Sequence, residues 1–167
     1  FEAKNISINL SFKESDFILK IKSSMVNSLK EEKNLYVYQP KIDIFGKNTF
    51  LEIISDKGII AYDKNLIQLE NKTEISGKAN EKIILGKAGK IDIDLNKRNL
   101  SSNQLTLFID EYEISVKEIT LNEDEMVFKG SPIYLKDNEG LVTETSLIKL
   151  KSNGELIFPS KLNIKNY

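Results

Sequence analysis

The sequence predicts a nearly all-β protein, and three observations support that fold class. Apolar and polar residues alternate with a period of two along much of the 167-residue chain. The apolar positions are rich in β-branched and aromatic residues, which favour strands over helices. Polar turn clusters recur about every 30 residues between apolar segments, which is typical of a degenerate structural repeat.

Successive side chains of a strand point to opposite faces of a sheet, so each alternating run predicts one buried and one solvated face. The alternating runs are residues 6–12, 17–21, 42–44, 91–95, 105–109, 112–116 and 162–164. The turn clusters are residues 30–33, 63–65, 96–99, 122–125 and 151–154. We therefore expect repeated antiparallel hairpins of about 30 residues that form a single domain over residues 1–167.

The composition argues against most catalytic and cofactor chemistry. The chain has no Cys, no Trp and no His, so thiol catalysis, a His-based triad and the usual zinc site are excluded. Lys and Arg number 24 against 25 Asp and Glu, and this balance lacks the excess of positive charge that nucleic-acid binding needs. We expect a protein that is not an enzyme, uses no cofactor and binds no nucleic acid.

Two kinds of local motif also fail to predict a site. Residues 86–90, Gly-Lys-Ala-Gly-Lys, lack the spacing of a phosphate-binding loop and precede a strand pattern, so we predict a turn there. The acidic clusters lack the spacing of a calcium loop. Asp92 and Asp94 alternate with isoleucines, which predicts the solvated face of a strand and no metal site.

The apolar face of the strands has two interpretations. It is either the core of a compact sandwich or the lining of a groove between incompletely closed sheets. Aliphatic residues dominate it, and that composition is compatible with lipid acyl chains. The candidate lipid-binding residues on this face are Phe17, Leu19, Ile21, Ile42, Ile44, Ile91, Ile93, Leu105 and Leu107.

Five segments between residues 17 and 135 carry a family pattern. Residues 17–23 (FILKIKS) match a strand ending in a small residue, and residues 38–45 (YQPKIDIF) match "P-x-hydrophobic-x-x-F". Residues 53–77 match an "S-x-x-G/A … L-x-L-x-x-x-V" hairpin, residues 91–102 an "L-x-I-D … L-S-S" hairpin, and residues 127–130 a late Phe/Gly signature. The chain resembles the lipopolysaccharide-transport bridge proteins with OstA-like repeats, and LptC more closely than LptA.

The resemblance implies an open antiparallel β-jellyroll, or β-taco, without catalytic activity. It implies a periplasmic protein that accepts lipopolysaccharide from an inner-membrane ABC transporter and passes it along a bridge of end-to-end jellyrolls. Members of the family close to LptC are tethered to the inner membrane by an N-terminal helix, which is absent from this chain. The resemblance also implies two partners: the periplasmic jellyroll of the transporter at the N-terminal edge and the next, LptA-like bridge protein at the C-terminal edge.

Alternating strands at both ends of the chain are the candidate pairing edges. Unpaired main-chain groups of an edge strand invite another sheet, although Lys161 and Lys165 would discourage such pairing. The candidate edge residues are Ile6, Ile8, Leu10, Leu162 and Ile164. The alternative function is a structural or adhesive extracytoplasmic β-solenoid without lipid binding. A carbohydrate-active β-helix enzyme is the poorest alternative, because the chain has no Trp.

Overall fold

The protein is all-β and antiparallel in the computed structural model, which describes residues 1–29, 31–158 and 163–166, the last four by their main chain alone. No helix occurs in these ranges, and hence none that is long and apolar enough to cross a membrane. The fourteen strands of the described ranges are β1 (Glu2–Ser11), β2 (Ile18–Asn27), β3 (Asn34–Tyr38), β4 (Lys41–Gly46), β5 (Thr49–Ile54), β6 (Lys57–Ala61), β7 (Leu66–Ala79), β8 (Lys82–Asp94), β9 (Asn99–Ile109), β10 (Tyr112–Leu121), β11 (Glu125–Lys136), β12 (Leu141–Lys151), β13 (Leu156–Ile157) and β14 (Asn163–Asn166).

Two long strands, β2 and β7, change partners along their length. The first half of β2 pairs with β4 and its second half with β3. The first half of β7 pairs with β6 and its second half with β5. Because β3 also pairs with β6, and β4 with β5, the six strands close into a ring in the order β2-β3-β6-β7-β5-β4.

The chain after β7 forms a meander in which each strand up to β12 pairs with the next. The pairing register is interrupted near the middle of these strands, at residues 70–73, 115–118 and 129–133 for example. Each long strand therefore has two halves, and we call the two sets of halves layers. The first layer contains residues 18–22, 41–46, 49–54, 73–79, 82–88, 105–109, 112–116, 133–136, 141–145 and 163–166. The second layer contains residues 25–27, 34–38, 57–61, 66–70, 91–94, 99–101, 118–121, 125–129, 147–151 and 156–157.

Buried hydroxyl groups stabilise the main chain where it passes between the layers. The hydroxyl of Ser23 lies 2.7 Å from the carbonyl oxygen of Met25 and 2.9 Å from that of Tyr38. The hydroxyl of Ser55 lies 2.6 Å from the carbonyl oxygen of Glu70 and 3.2 Å from the hydroxyl of Thr73. Side-chain hydrogen bonds therefore replace ladder bonds at the bends, where buried main-chain groups would otherwise lose their partners.

The two layers fold over each other. The amide of Lys13, in the turn between β1 and β2, donates to the carbonyl oxygen of Leu95, in the turn between β8 and β9, at 2.8 Å. These turns lie at opposite ends of the strands. In a flat sheet they would also be about 20 Å apart across the strands, because β2 and β8 are four strand spacings apart and neighbouring strands lie about 4.8 Å apart. Their contact requires the sheet to fold back on itself. The inward side chains of both layers accordingly form one hydrophobic core.

The structure confirms the all-β, antiparallel prediction. Within the described residues, the five turn clusters all fall at the same ends of the strands, those of the second layer. The turn predicted at residues 86–90 is wrong, because all five residues belong to β8. The ladder between β8 and β9 is broken there, between the pairs Ala88–Leu105 and Asp92–Ser101. Gly89 thus lies at a bend inside a strand, whereas Gly86 is paired on both sides and leaves room for the side chain of Leu107, and both have the same sequence signal as a turn.

Candidate functional site

All nine candidate lipid-binding side chains lie in the interior of the fold. Phe17, just before β2, is 4% exposed, and the other eight are 0–1% exposed. Seven belong to or precede strands of the first layer, while Ile91 and Ile93 belong to the second. No lipid could contact them in this closed conformation. Lipid binding by these residues therefore stays a prediction, and it requires the layers to separate.

The pairing register brings four of the candidates together. Leu19 lies opposite Ile44, and Ile21 lies opposite Ile42, on β2 and β4. On β8 and β9 no two candidates lie directly opposite each other, since Ile93 lies opposite Leu100 and Leu107 lies opposite Gly86. All nine candidates belong to the same continuous apolar core, which runs through both layers.

The interior contains further large side chains that the sequence reasoning did not select. Phe12 and Phe128 are 1% and 0% exposed and are the largest fully buried side chains of the described residues. Alternation identifies Phe12, which ends one alternating run, whereas Phe128 belongs to the uninterrupted apolar segment Met126–Phe128, whose inward side a period of two does not reveal. The nine candidates are only part of the apolar interior, which extends from the turn before β2 to β12.

The structure places β1 at one edge of the sheet, where it pairs only with β2 among the described strands. Ile6, Ile8 and Leu10 are partly buried and pack against the core from this edge. At the other edge, Ile164 belongs to β14 and lies opposite Thr143 of β12. Leu162 lies outside the described residues. Pairing of either edge with another protein stays a prediction.

The ends of the two layers meet along a line that we call the seam, defined by the contacts Lys13–Leu95, Glu14–Arg98 and Asn80–Leu150. Arg98, the only arginine of the sequence, donates from Nη1 to the carbonyl oxygen of Glu14 at 3.4 Å. Asn80 donates from Nδ2 to the carbonyl oxygen of Leu150 at 2.9 Å. These hydrogen bonds join turns and strand ends, so no β-ladder crosses the seam among the described residues.

Two carboxyl groups also meet across the seam. Asp16 lies in the turn between β1 and β2, and Glu123 lies in the turn between β10 and β11. A hydrogen bond with the Asp16 carboxyl, together with its negative charge, raises the pKa of Glu123 above its ordinary 4.5. Two carboxylates in contact repel when both are ionised, so one proton is needed to join them. We therefore expect the stability of this contact to depend on pH.

The described residues contain no group of three acidic side chains arranged to hold a metal ion. Burial is the main cause that raises the pKa of Asp92, and the neighbouring charge of Lys90 opposes it. Asp92 lies on the outer face of the second layer, directly opposite Gln68 and Ser101 on the adjacent strands. The raised pKa of this single half-buried carboxylate is explained by the position of Asp92 in the sheet.

The site is therefore an apolar interior closed by a hydrogen-bonded seam, with an edge strand at one side. Its chemistry is that of apolar burial and main-chain pairing. Neither the models of known protein families nor the curated proteins contain a match to this chain.

Proposed function

We propose that this protein is a non-catalytic lipid conduit that carries lipopolysaccharide through the periplasm. The observation that carries the proposal is the single, mostly aliphatic interior between two layers whose strand ends meet at a hydrogen-bonded seam. Burial of each methylene group stabilises a lipid by about 0.8 kcal/mol, so acyl chains would bind strongly between the separated layers. A continuous apolar path would also let the lipid move without crossing water.

The proposed architecture is an open β-jellyroll of the OstA-like type, in which the bends between the layers act as the closed side. The conduit would accept its lipid from an inner-membrane ABC transporter, whose jellyroll would pair with the edge formed by β1. The edge formed by β13 and β14 would pair with the next bridge protein. An N-terminal helix outside this chain would tether it to the inner membrane. The resemblance of the sequence to LptC supports each of these assignments.

The second candidate function is a structural or adhesive module that binds no lipid. It is supported by the near-complete burial of the nine candidate residues. The two functions differ in whether the layers ever separate, because a structural module needs its core to stay packed.

A photo-crosslinking amino acid placed at Ile93, compared with one at Asp92, tests the proposal. The two positions are adjacent, but Ile93 is fully buried and Asp92 lies on the outer face. We expect a lipopolysaccharide adduct from position 93 and none from position 92. Equal adducts at both positions would show unspecific adhesion, and no adduct from a folded protein would favour the structural module.

The bulk of the probe at a packed position can itself unfold the protein. Circular dichroism and a thermal melt of each variant therefore accompany the experiment. A second interior probe at Leu105, on the other layer, gives an independent reading with Thr106 as its outward-facing neighbour.

A further inference from the structure

Eight large apolar side chains of the first layer are exposed on its outer surface, and six of them lie in one band of side chains from β2 to β9. Each of them is at least 38% exposed, and Ile83 is 69% exposed. We call this set the outer stripe: Ile18, Phe45, Phe50, Ile83, Leu85 and Phe108. Single exposed apolar residues are ordinary, but a contiguous group marks a contact surface.

The strand register arranges the outer stripe in two apolar groups on either side of β7. Ile18 lies opposite Phe45, which lies opposite Phe50, and the two phenylalanine rings are 5.2 Å apart between centroids. Phe50 lies opposite Lys78 of β7, whose other cross-strand partner is Ile83. Directly opposed side chains lie about 5 Å apart, so one row of side chains crosses five strands, with Lys78 between the two apolar groups.

The stripe continues onto β9. Leu85 follows Ile83 on the same face of β8 and lies opposite Phe108. Beside this pair, Ile54, Glu74 and Lys87 line a shallow hollow of about 300 Å³. An apolar surface interspersed with charged side chains thus extends over the outer face from β2 to β9.

The charge of this outer face is positive, although the whole chain carries −1. Between β2 and β9 its ionisable side chains are five lysines and three acidic residues: Lys20, Lys22, Lys41, Lys78, Lys87, Asp43, Glu52 and Glu74. Glu52 is engaged by Lys41 at 3.3 Å, and Asp43 is 8% exposed. The outer face of the second layer over the same strands has two lysines and three acidic residues: Lys57, Lys90, Glu70, Asp92 and Asp94.

We propose that the outer stripe docks the protein onto the surface of an anionic lipid bilayer. The phenylalanine, isoleucine and leucine side chains would enter the boundary between headgroups and acyl chains, and the lysines would contact the phosphates. A second copy of the chain fits less well, because a symmetric pair would bring the Lys78 side chains of both copies into the same apolar contact. This inference does not rest on the proposed lipid conduit, since the stripe faces away from the interior.

Flotation of the protein with lipid vesicles tests the inference. We expect the full chain to float with vesicles of equal parts phosphatidylglycerol and phosphatidylcholine, and not with phosphatidylcholine alone. High salt should weaken the binding, because the phosphate contacts are exposed to solvent. Phe50→Ser and Ile83→Ser should each lower the affinity for anionic vesicles about tenfold, since each removes one buried apolar anchor.

Tyr38→Ser is the matched control, because Tyr38 is a similarly exposed aromatic residue (38%) on the outer face of the second layer. It should leave vesicle binding unchanged, and all three variants should keep the melting temperature of the parent within a few degrees. The inference is overturned if the protein does not float with anionic vesicles, or if the stripe variants bind as the parent does. It is equally overturned if those variants abolish a dimer without changing vesicle binding.

Discussion

The side-chain amide of Asn80 donates a hydrogen bond of 2.9 Å to the carbonyl oxygen of Leu150, seventy residues further along the chain. Asn80 is 3% exposed and lies in the turn between β7 and β8 at the end of the first layer, whereas Leu150 lies near the end of the second layer. The φ of Asn80, 49°, is in the left-handed region that asparagine tolerates. One buried polar side chain thus joins the two layers.

Replacement of Asn80 by alanine should lower the free energy of unfolding by about 1–3 kcal/mol, because it leaves the buried carbonyl of Leu150 without its partner. The matched control is Asn65→Ala, since Asn65 has a similar φ of 52° but its exposed side chain donates only to the exposed side chain of Asn96. Urea denaturation of both variants measures the difference. An equal loss in the two variants would show that backbone strain alone is responsible.

The carboxyl pair of Asp16 and Glu123 should make the seam less stable at neutral pH. The pKa of Glu123 is raised in the folded protein. The contribution of Glu123 to the free energy of unfolding is therefore complete at pH values below its ordinary pKa of 4.5, and it is lost as the pH rises through the raised pKa. An amide can donate the same hydrogen bond at any pH. Glu123→Gln should therefore raise the melting temperature at neutral pH and leave it unchanged at pH values below 4.5.

Glu139→Gln, at an exposed turn position away from the seam, is the control for that substitution. A shift of the melting temperature of Glu123→Gln that is the same at both pH values would contradict the role of the carboxyl pair.

Glu125 should show the opposite pH dependence. Its carboxylate accepts a hydrogen bond of 2.9 Å from Lys151 and lies 3.6 Å from Lys149, and the Lys151 bond is the main cause that lowers the pKa of Glu125. Because the pKa of Glu125 is lowered in the folded protein, Glu125 stabilises the fold at neutral pH, and this stabilisation is lost as the pH falls through the lowered pKa. Glu125→Gln should cost at most about 1 kcal/mol at neutral pH, because solvent screens this surface pair.

Denaturant titrations of Glu125→Gln at neutral pH and at pH values well below 4.5 measure this cost. It should shrink at low pH and in concentrated salt. A cost that does not depend on pH would mean that packing, and not charge, holds Glu125 in place.

A reversible lock on the seam should control lipid entry if the conduit proposal is right. The chain has no cysteine, so Asp16→Cys and Glu123→Cys supply the only two thiols, and mass spectrometry of the oxidised protein first verifies that they have formed the intramolecular disulfide. In the purified protein, oxidation should abolish the lipopolysaccharide adduct of the probe at Ile93, and reduction should restore it. Each single-cysteine variant serves as a control, and an adduct that persists in the oxidised protein would place lipid entry elsewhere.

The fold class and the facing of the strands were predictable from local pattern. Alternation places every second residue on the same face, so the inward direction of Leu19, Ile44 and Ile93 follows from the sequence and is observed as their burial. The turn positions were also predictable from local pattern, because polar clusters interrupt the apolar segments there. The bend at residues 86–90 was mistaken for a turn, because glycines that permit a bend and glycines that permit a reversal look alike in sequence.

The sequence by itself determined the facing of the alternating runs, because successive side chains of a strand point to opposite faces and the apolar set is the one that is buried. Only the tertiary structure decided which distant residues meet. The contacts Asn80–Leu150, Lys13–Leu95 and Asp16–Glu123 join turns far apart in the chain, and no local pattern encodes the angle at which the layers fold over each other. The outer stripe has the same origin: its residues come from five segments of sequence, and only the strand register makes them one surface.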